Sequence, residues 1–467
     1  MTLCLPPVRW RWLKPWPHLC SVTSCDVEGS SMDEFPEIHK FGGSCLRDSS
    51  DLDKIAEVLF NMEGPIVVVV SAFWGTTDRL MRAAKEPRYA GRLVNDLESQ
   101  HLRFAPSLPD SELYPVFQKV LKGIEGALDE LAEDKPNPQA YNCLLASGER
   151  LSALVVAHAL NMHGLEAHPV GAEDIGLHLD GINTANSVDL IKSKNMLDRK
   201  ALHGIPIVTG WFGEGKDGNI ALLSRGGSDH TATALAALLN AKRVVLWKDV
   251  VGIYPVNPRW GIQSAPIPYL GYGEAMDFAS SDATIIHPAT VEPIYSLGVP
   301  VEIRHLHQYS ATHSGTVIGP DIEDDTTIKG IACVPKVVSV DVDVQYIHNT
   351  ATALSEVLSN LEEANIRICS YEATPTRWRF VIPQHEIHRC LQLLNQRYSE
   401  INHTYYAAMI SFIGSAAAEH MRSSMNKRSW ANDIIEARKG APHFLTQRQD
   451  LSKLMEEMMS ALSIGTK

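Results

Sequence analysis

The sequence predicts an α/β chain: a largely parallel sheet covered by helices on both faces, followed by two smaller α+β units. Three observations lead there. Short, unbroken, β-rich apolar runs recur from residue 37 to about 315. Stretches with apolar spacing of three and four lie between them. After the acidic, turn-prone Pro320–Thr327 (PDIEDDTT) the pattern changes to shorter mixed elements. Strands buried on both faces read as continuous apolar runs, whereas half-exposed strands alternate, so the first region is a parallel sheet between helical layers.

The expected strands of that region are Ile38–Phe41, Ile66–Ser71, His168–Val170, Ile205–Thr209, Ile220–Leu223, Arg243–Trp247 and Val299–Ile303, with helices at Ser50–Phe60, Arg150–Met162 and Ser228–Asn240. In such sheets ligands sit at the carboxyl ends of the strands. Beyond the linker, Val337–Val342, a helix over Ala351–Glu363, Arg367–Ser370, Arg377–Ile382 and a helix over His385–Asn395 give a β-α-β-β-α order. A weaker second copy runs from Ala407–Ile413 to a helix over Asp450–Leu462. The expected domains are 37–319, a linker at 320–327 and a pair of α+β units at 328–467, which carry no motif for chemistry and suit binding or dimerisation.

A chain of 467 residues with 45% hydrophobic and 21% charged residues can bury a real core and divides into two or three units. Its net charge of −13 argues against non-specific binding to nucleic acid or to an anionic membrane, both of which need a basic face. The apolar run around Ile66–Val70 is far below membrane-spanning length. Eight scattered cysteines show neither zinc-site pairing nor disulfide density and read as reduced thiols of a cytoplasmic protein. Residues 1–31 hold Trp10, Trp12 and Trp16 but show no periodicity and no apolar h-region. They are expected to be a dispensable, unstructured extension, with Met32 the natural first residue.

Two segments could hold an anion. His39-Lys40-Phe41-Gly42-Gly43-Ser44 ends the first strand with a lysine and two glycines that free backbone N–H groups, although a strand ending in Gly-Gly is more often a plain tight turn. Ser224-Arg225-Gly226-Gly227-Ser228-Asp229-His230-Thr231 joins a strand to an alanine-rich helix. There Ser228 is placed to cap, and Asp229 stands where the helix field favours carboxylates. Trp247-Lys248-Asp249, running on to Tyr254 and Arg259, could hold a nucleotide base and phosphate or could be a surface loop. Ser147-Gly148-Glu149-Arg150 precedes the expected helix and could be a cap. Ser71 to Asp78 is a strand-end loop of hydroxyls suited to a carboxylate. No Walker A or protein-kinase signature occurs, so phosphate handling would come from another fold.

Taken in order, KFGGS, VVVSAFWGTTD, SGERLS, TGWFG, LSRGGSDHTA, WKDVVGIYPVNPR and IIHPAT resemble the motif series of the aspartate kinases, within the amino-acid kinase superfamily, from about Ile38 to Ile318. The resemblance implies an α/β/α sandwich, and Ile328–Ala332 is similar to the start of tandem ACT domains in which the second module wraps around an inserted first. It implies ATP and Mg²⁺, with aspartate as the acceptor and the side-chain carboxylate phosphorylated, and a homodimer formed through the ACT units. Lys40 would contact the transferred phosphoryl group and Asp229 would organise the site. Arg225 would hold the substrate α-carboxylate, Glu149 its amino group, and Ser71 and Thr77 further substrate atoms. Gly42, Gly43, Gly226, Gly227, Ser228, Lys248, Asp249, Tyr254 and Arg259 fall on nucleotide-binding positions. No protein metal cage is implied, since Mg²⁺ is carried mainly by phosphates and water.

The sequence departs from the pattern. Thr284 stands where a lysine usually precedes His287-Pro288, Lys248 where serine or threonine is usual, Ser224 for glycine and His230 for tyrosine. Lys248 could restore the cation that Thr284 removes. A kinase for another amino acid in a specialised pathway, or a weakly active regulatory subunit, are the rival readings.

Overall fold

The computed structural model describes residues 35–86, 89–133, 137–224, 226–280, 286–308, 315–322, 327–344, 350–364, 366–414, 436–437, 443–462 and 464. Arg225, Thr284 and residues 1–31, singled out above, therefore lie outside the described residues. The chain forms two compact units. One runs to Val251 and resumes over Ala289–Gly319; the other comprises Gly252–Pro288 and the chain from Pro320.

In chain order the first unit begins with β1 (Glu37–Phe41), α1 (Ser49–Phe60), β2 (Ile66–Val70), α2 (Thr76–Lys85), α3 (Ala90–Phe104), α4 (Tyr114–Leu131) and α5 (Pro138–Met162). It continues with β3 (Ala167–Val170), β4 (Thr184–Ala185), α6 (Leu190–Met196), β5 (Ile205–Thr209), β6 (Phe212–Glu214), β7 (Ile220–Leu223), α7 (Gly227–Leu239) and β8 (Arg243–Lys248). The second unit supplies β9 (Tyr269–Gly271) and α8 (Tyr272–Ser280), after which the first closes with β10 (Val301–His305) and β11 (Thr316–Gly319).

Within the first unit the main sheet runs β3-β5-β2-β1-β8-β10-β11. It is parallel except where β10 meets β11. All five residues of β2 are buried, as a strand covered on both faces requires. Ile220–Leu223, expected in this sheet, instead pairs with β4 and β6 in a separate small sheet. The helix expected from Arg150 begins twelve residues earlier, at Pro138, where the Asn137 side chain accepts from Ala140 N–H. Ser147 and Gly148 are thus interior to α5 rather than a cap. Gly148 is there for space, since a Cβ would lie 3.1 Å from Ala72 Cβ and 3.3 Å from Leu80 Cδ1. This helix is long and apolar enough to cross a membrane, yet 94% of its apolar window is buried inside the unit, so it is the core helix.

The second unit adds β12 (Gly330–Asp343), α9 (Thr350–Glu363), β13 (Ser370–Ala373), β14 (Arg377–Pro383), α10 (Ile387–Leu394), β15 (Ile401–Ile413), β16 (Glu436–Ala437), β17 (His443–Thr446) and α11 (Leu451–Leu462). These strands make one antiparallel sheet, β13-β14-β12-β15-β17-β16. β12 and β15 are each long enough to serve two cores. Val338, Val340 and Val342 of β12 pack with α9 and α10 around Trp378 and Phe380, whereas Ile331 and Cys333 join Ile410, Phe412 and the Leu454 and Met458 side of α11. Lys336, at φ +54°, marks the switch between the halves, next to a proline that cannot donate to the ladder.

Gly252–Pro288, expected within the first domain, groups with the second unit because its apolar residues are buried there. Val256 sits in the cluster of Ile331, Phe412 and Leu454, and Ile331 N–H donates to Pro255 O at 2.7 Å.

Candidate active site

β1, β2 and β8 run side by side and in parallel, so their carboxyl ends deliver Lys40, Ser71 and Lys248 to one edge of the sheet. The register aligns Phe41 with Trp247, whose rings stack at 5.8 Å, and so places Lys248 beside Gly42. Side chains alternate faces along a strand, so Lys40 and Lys248 project to the same face. The start of α7 lies against that face and carries Asp229 in its first turn.

Lys40 Nζ is 2.7 Å from Asp229 Oδ1 and Lys248 Nζ is 2.8 Å from Asp229 Oδ2. Lys40 and Asp229 are buried. Burial by itself would raise the Asp229 carboxyl, but the charges of Lys248 and Lys40 outweigh it and hold the group well below the usual carboxylate range. The aspartate is therefore an anionic anchor between two ammonium groups.

The glycines make room for this arrangement. A Cβ on Gly42 would lie 3.2 Å from Lys40 Nζ, and one on Gly43 would lie 3.0 Å from Ala72 O. Gly226 takes φ +79° at the N-cap of α7. Ser228, expected to cap, lies one residue inside the helix, and no side chain caps it. The first-turn N–H groups thus keep no side-chain acceptor, as an anion-binding helix start requires.

Beside this floor opens a cavity of about 330 Å³ lined by Lys40, Gly43, Ser71, Thr77, Glu149, Gly226, Gly227, Ser228 and Asp229 from the residues chosen in the sequence. Glu149 reaches it from the middle of α5. Its Oε1 accepts from Ala72 N–H at 3.3 Å, and its buried Oε2 has no hydrogen-bond partner. Burial pushes this carboxyl up to about 8, against the pull of the Ala72 N–H and of the Lys40 charge. An uncommitted buried carboxylate facing a cavity suits a ligand ammonium.

Ala72, Phe73, Trp74, Gly75, Asp78 and Trp211 also line the cavity and were not chosen as site residues. The first four sit in the strand-end loop read for its hydroxyls alone, and Asp78 lies in the first turn of α2. Trp211 adopts φ +73°, which is costly for a bulky side chain. It is held there by Trp211 Nε1 donating to Leu223 O at 2.7 Å and by Trp211 N–H donating to Thr231 Oγ1 at 3.2 Å. Its place within TGWFG was the only sequence signal.

Gly42, Lys248 and Asp249 do not line the cavity. Gly42 and Lys248 border it through Lys40 and Asp229, whereas Asp249 is paired with Arg47. Tyr254 and Arg259 belong to the second unit, Arg259 in a short turn where its N–H donates to Asn257 Oδ1. His230 does not reach the cavity: its Nδ1 donates to Ala289 O at 2.6 Å and its Nε2 accepts from Val188 N–H at 3.0 Å.

A parallel sheet delivers two lysines, an aspartate anchor and a glycine-opened helix start to one edge, the arrangement of an anion site in an α/β protein with no Walker A motif in its sequence. The model of the amino acid kinase family matches residues 37–305, more than half of the chain, and the chain belongs to that family. Among curated relatives, the bifunctional aspartokinase/homoserine dehydrogenase 2 of Arabidopsis thaliana is 26% identical over 79% of this chain. The chain spans 42% of that relative. Aspartokinase 1 of the same plant is 27% identical over 85% of this chain and 72% of its own length. In structure the chain is similar to E. coli aspartokinase III in complex with aspartate and ADP, with TM-score 0.73 and 20% identity over 91% of this chain and 99% of that one. It is also similar to aspartate kinase from Clostridium acetobutylicum, with TM-score 0.69 and 18% identity over 91% of this chain and all of that one. These likenesses agree with the α/β fold class read from the sequence.

Proposed function

We propose that the protein transfers the terminal phosphoryl group of ATP to the side-chain carboxylate of L-aspartate, forming 4-phospho-L-aspartate, the first step toward lysine, threonine and methionine. One observation carries the reading: Lys40 and Lys248 hold opposite oxygens of the buried Asp229 at the edge of a cavity that also contains the uncommitted Glu149. The aspartokinase relatives support the choice of acceptor.

A carboxylate acceptor is ionised at neutral pH, so the reaction needs no strong general base. What it needs is alignment of two anions and neutralisation of the charge that spreads over the transferred phosphoryl oxygens. Lys40 and Lys248 supply cations, Asp229 fixes them, and the N–H groups of Gly43 and Gly226 supply neutral donors, with Gly42 and Gly227, whose N–H groups bond Trp247 O and Ser224 O, shaping the two turns. Glu149 receives the acceptor's ammonium, with Ser71 and Thr77 beside it and Arg225 taking the α-carboxylate. Asp249 serves the nucleoside and phosphates, the role for which the family resemblance also names Tyr254 and Arg259.

Among the described residues no three His, Cys, Asp or Glu side chains cluster as a metal cage. Mg²⁺ would be carried mainly by the ATP phosphates and water, where it would neutralise charge on the transferred group. The antiparallel second unit with its two cores supports a tandem ACT-type regulatory region; a homodimer formed through that region and a cytoplasmic location complete the proposal.

Hydroxylamine trapping with ATP, Mg²⁺ and a panel of amino acids tests the proposal. Aspartyl hydroxamate is the expected product. Reaction with a different amino acid alone transfers the assignment to that acceptor, and no reaction leaves a regulatory subunit.

A further inference from the structure

We infer that Arg47 is a positioning residue that ties the acceptor cavity to the nucleotide contact at Asp249; the inference rests on the function proposed above. The Arg47 guanidinium lies over the Trp74 ring, 4.4 Å from its centroid, and Arg47 Nη2 donates to Asp249 Oδ2 at 2.9 Å. Trp74 lines the acceptor cavity, and Asp249 follows Lys248 at the end of β8. Arg47, Trp74 and Asp249 come from the loops after β1, β2 and β8, so one planar group spans the ends of three strands. The backbone adds a tie between the first two loops, with Trp74 N–H donating to Leu46 O at 3.1 Å.

As an ion pair alone this contact would contribute little, because the Arg47 and Asp249 side chains are 45% and 51% exposed. What distinguishes it is that a guanidinium can stack by its face and donate by its edge at once, which an ammonium cannot. The face is used by Trp74 and one edge by Asp249. Asp249 Oδ1 keeps no hydrogen bond among the described residues, so it can accept from a hydroxyl or amine of a bound nucleoside. The Arg47 charge meanwhile offsets the repulsion that this carboxylate would exert on nearby phosphates.

Coupling follows from the geometry. An acceptor filling the cavity against Trp74 steadies the indole, the indole steadies the guanidinium, and the guanidinium steadies Asp249. Each ligand then favours the other by the same factor.

The test is calorimetric titration of the full chain with ADP and Mg²⁺, with and without saturating aspartate, on wild type, Arg47→Ala and Arg47→Lys. Wild type is expected to bind ADP about fivefold more tightly when aspartate is present. That ratio should fall to about one in Arg47→Ala. Arg47→Lys, which keeps the charge and loses the planar face, should bind ADP better than Arg47→Ala and still lose the ratio. An equal loss of ADP affinity with and without aspartate makes Arg47 a plain surface charge and overturns the inference, as does an unchanged ratio. A wild-type ratio of one overturns it with no variant needed. Wild type that binds no ADP at all is a different failure, that of the nucleotide reading itself.

Discussion

Lys248 Nζ sits 2.8 Å from Asp229 Oδ2, opposite the Lys40 contact on Oδ1, so a position where the family resemblance expects serine or threonine carries a second cation on the buried aspartate. The sequence offers a solvated loop lysine as the alternative. The ion pair with a buried carboxylate, and a side chain only 17% exposed, favour the site role.

Lys248→Thr is expected to raise the KM for ATP by the equivalent of roughly 1–3 kcal/mol, the range of charge-assisted hydrogen bonds. Adding Thr284→Lys should recover much of that loss in a double-mutant cycle. ATP kinetics unchanged in Lys248→Thr would show that the site manages without it and that Lys248 is merely solvated.

Lys40→Ala should abolish turnover while the protein stays folded. The lysine contributes charge where charge develops, an effect of about 2.7–4 kcal/mol in rate. Lys248 remains on Asp229, so the buried carboxylate does not lose its last partner. The measurements are kcat by hydroxamate trapping and the melting temperature. Near wild-type kcat would move the phosphate cradle elsewhere.

Glu149 sets a pH dependence with a definite sign. Its carboxyl, near 4.5 ordinarily, stands at about 8 in the folded protein. The folded state therefore holds a proton that the unfolded state releases, and the stability this group contributes is full below about 4.5 and lost as the pH rises through 8. An acceptor ammonium needs the ionised form, so binding below that pH must expel the proton. The dissociation constant for aspartate is expected to rise about tenfold per pH unit below 8 in wild type. In Glu149→Gln it should be weaker and flat with pH. A flat wild-type profile, measured by calorimetry between pH 6 and about 8, would mean that the ammonium binds elsewhere.

Gly227→Ala tests the helix start. Its Cβ would lie 2.6 Å from Trp211 Cδ1 and 2.7 Å from Leu223 Cβ, so either the indole or the first turn of α7 must shift. Overpacking of this kind costs about 1–3 kcal/mol. The expected outcome is a melting temperature lowered by a few degrees and a larger proportional loss of kcat/KM. Full activity would show that the position of Trp211 is not critical.

The sequence alone determined the alternation of buried strands and helices, because a parallel sheet covered on both faces leaves continuous apolar runs between stretches of helical spacing. It also marked both glycine pairs and Lys40 and Asp229, since an anion cradle needs those residue types at strand and helix ends. It could not tell an interior Ser-Gly from a cap in α5, because that depends on what Gly148 packs against. Nor could it place Ile220–Leu223 outside the main sheet or Gly252–Pro288 in the second unit, since pairing partners and shared cores are long-range choices. The β1–β8 register decided that Lys40 and Lys248 face the same way, and the packing of α7 on that face decided that both reach Asp229. Trp211 at positive φ and Arg47 over Trp74 were likewise invisible in the sequence: a strained backbone and a stack between loops exist only once the neighbouring strand ends are in place.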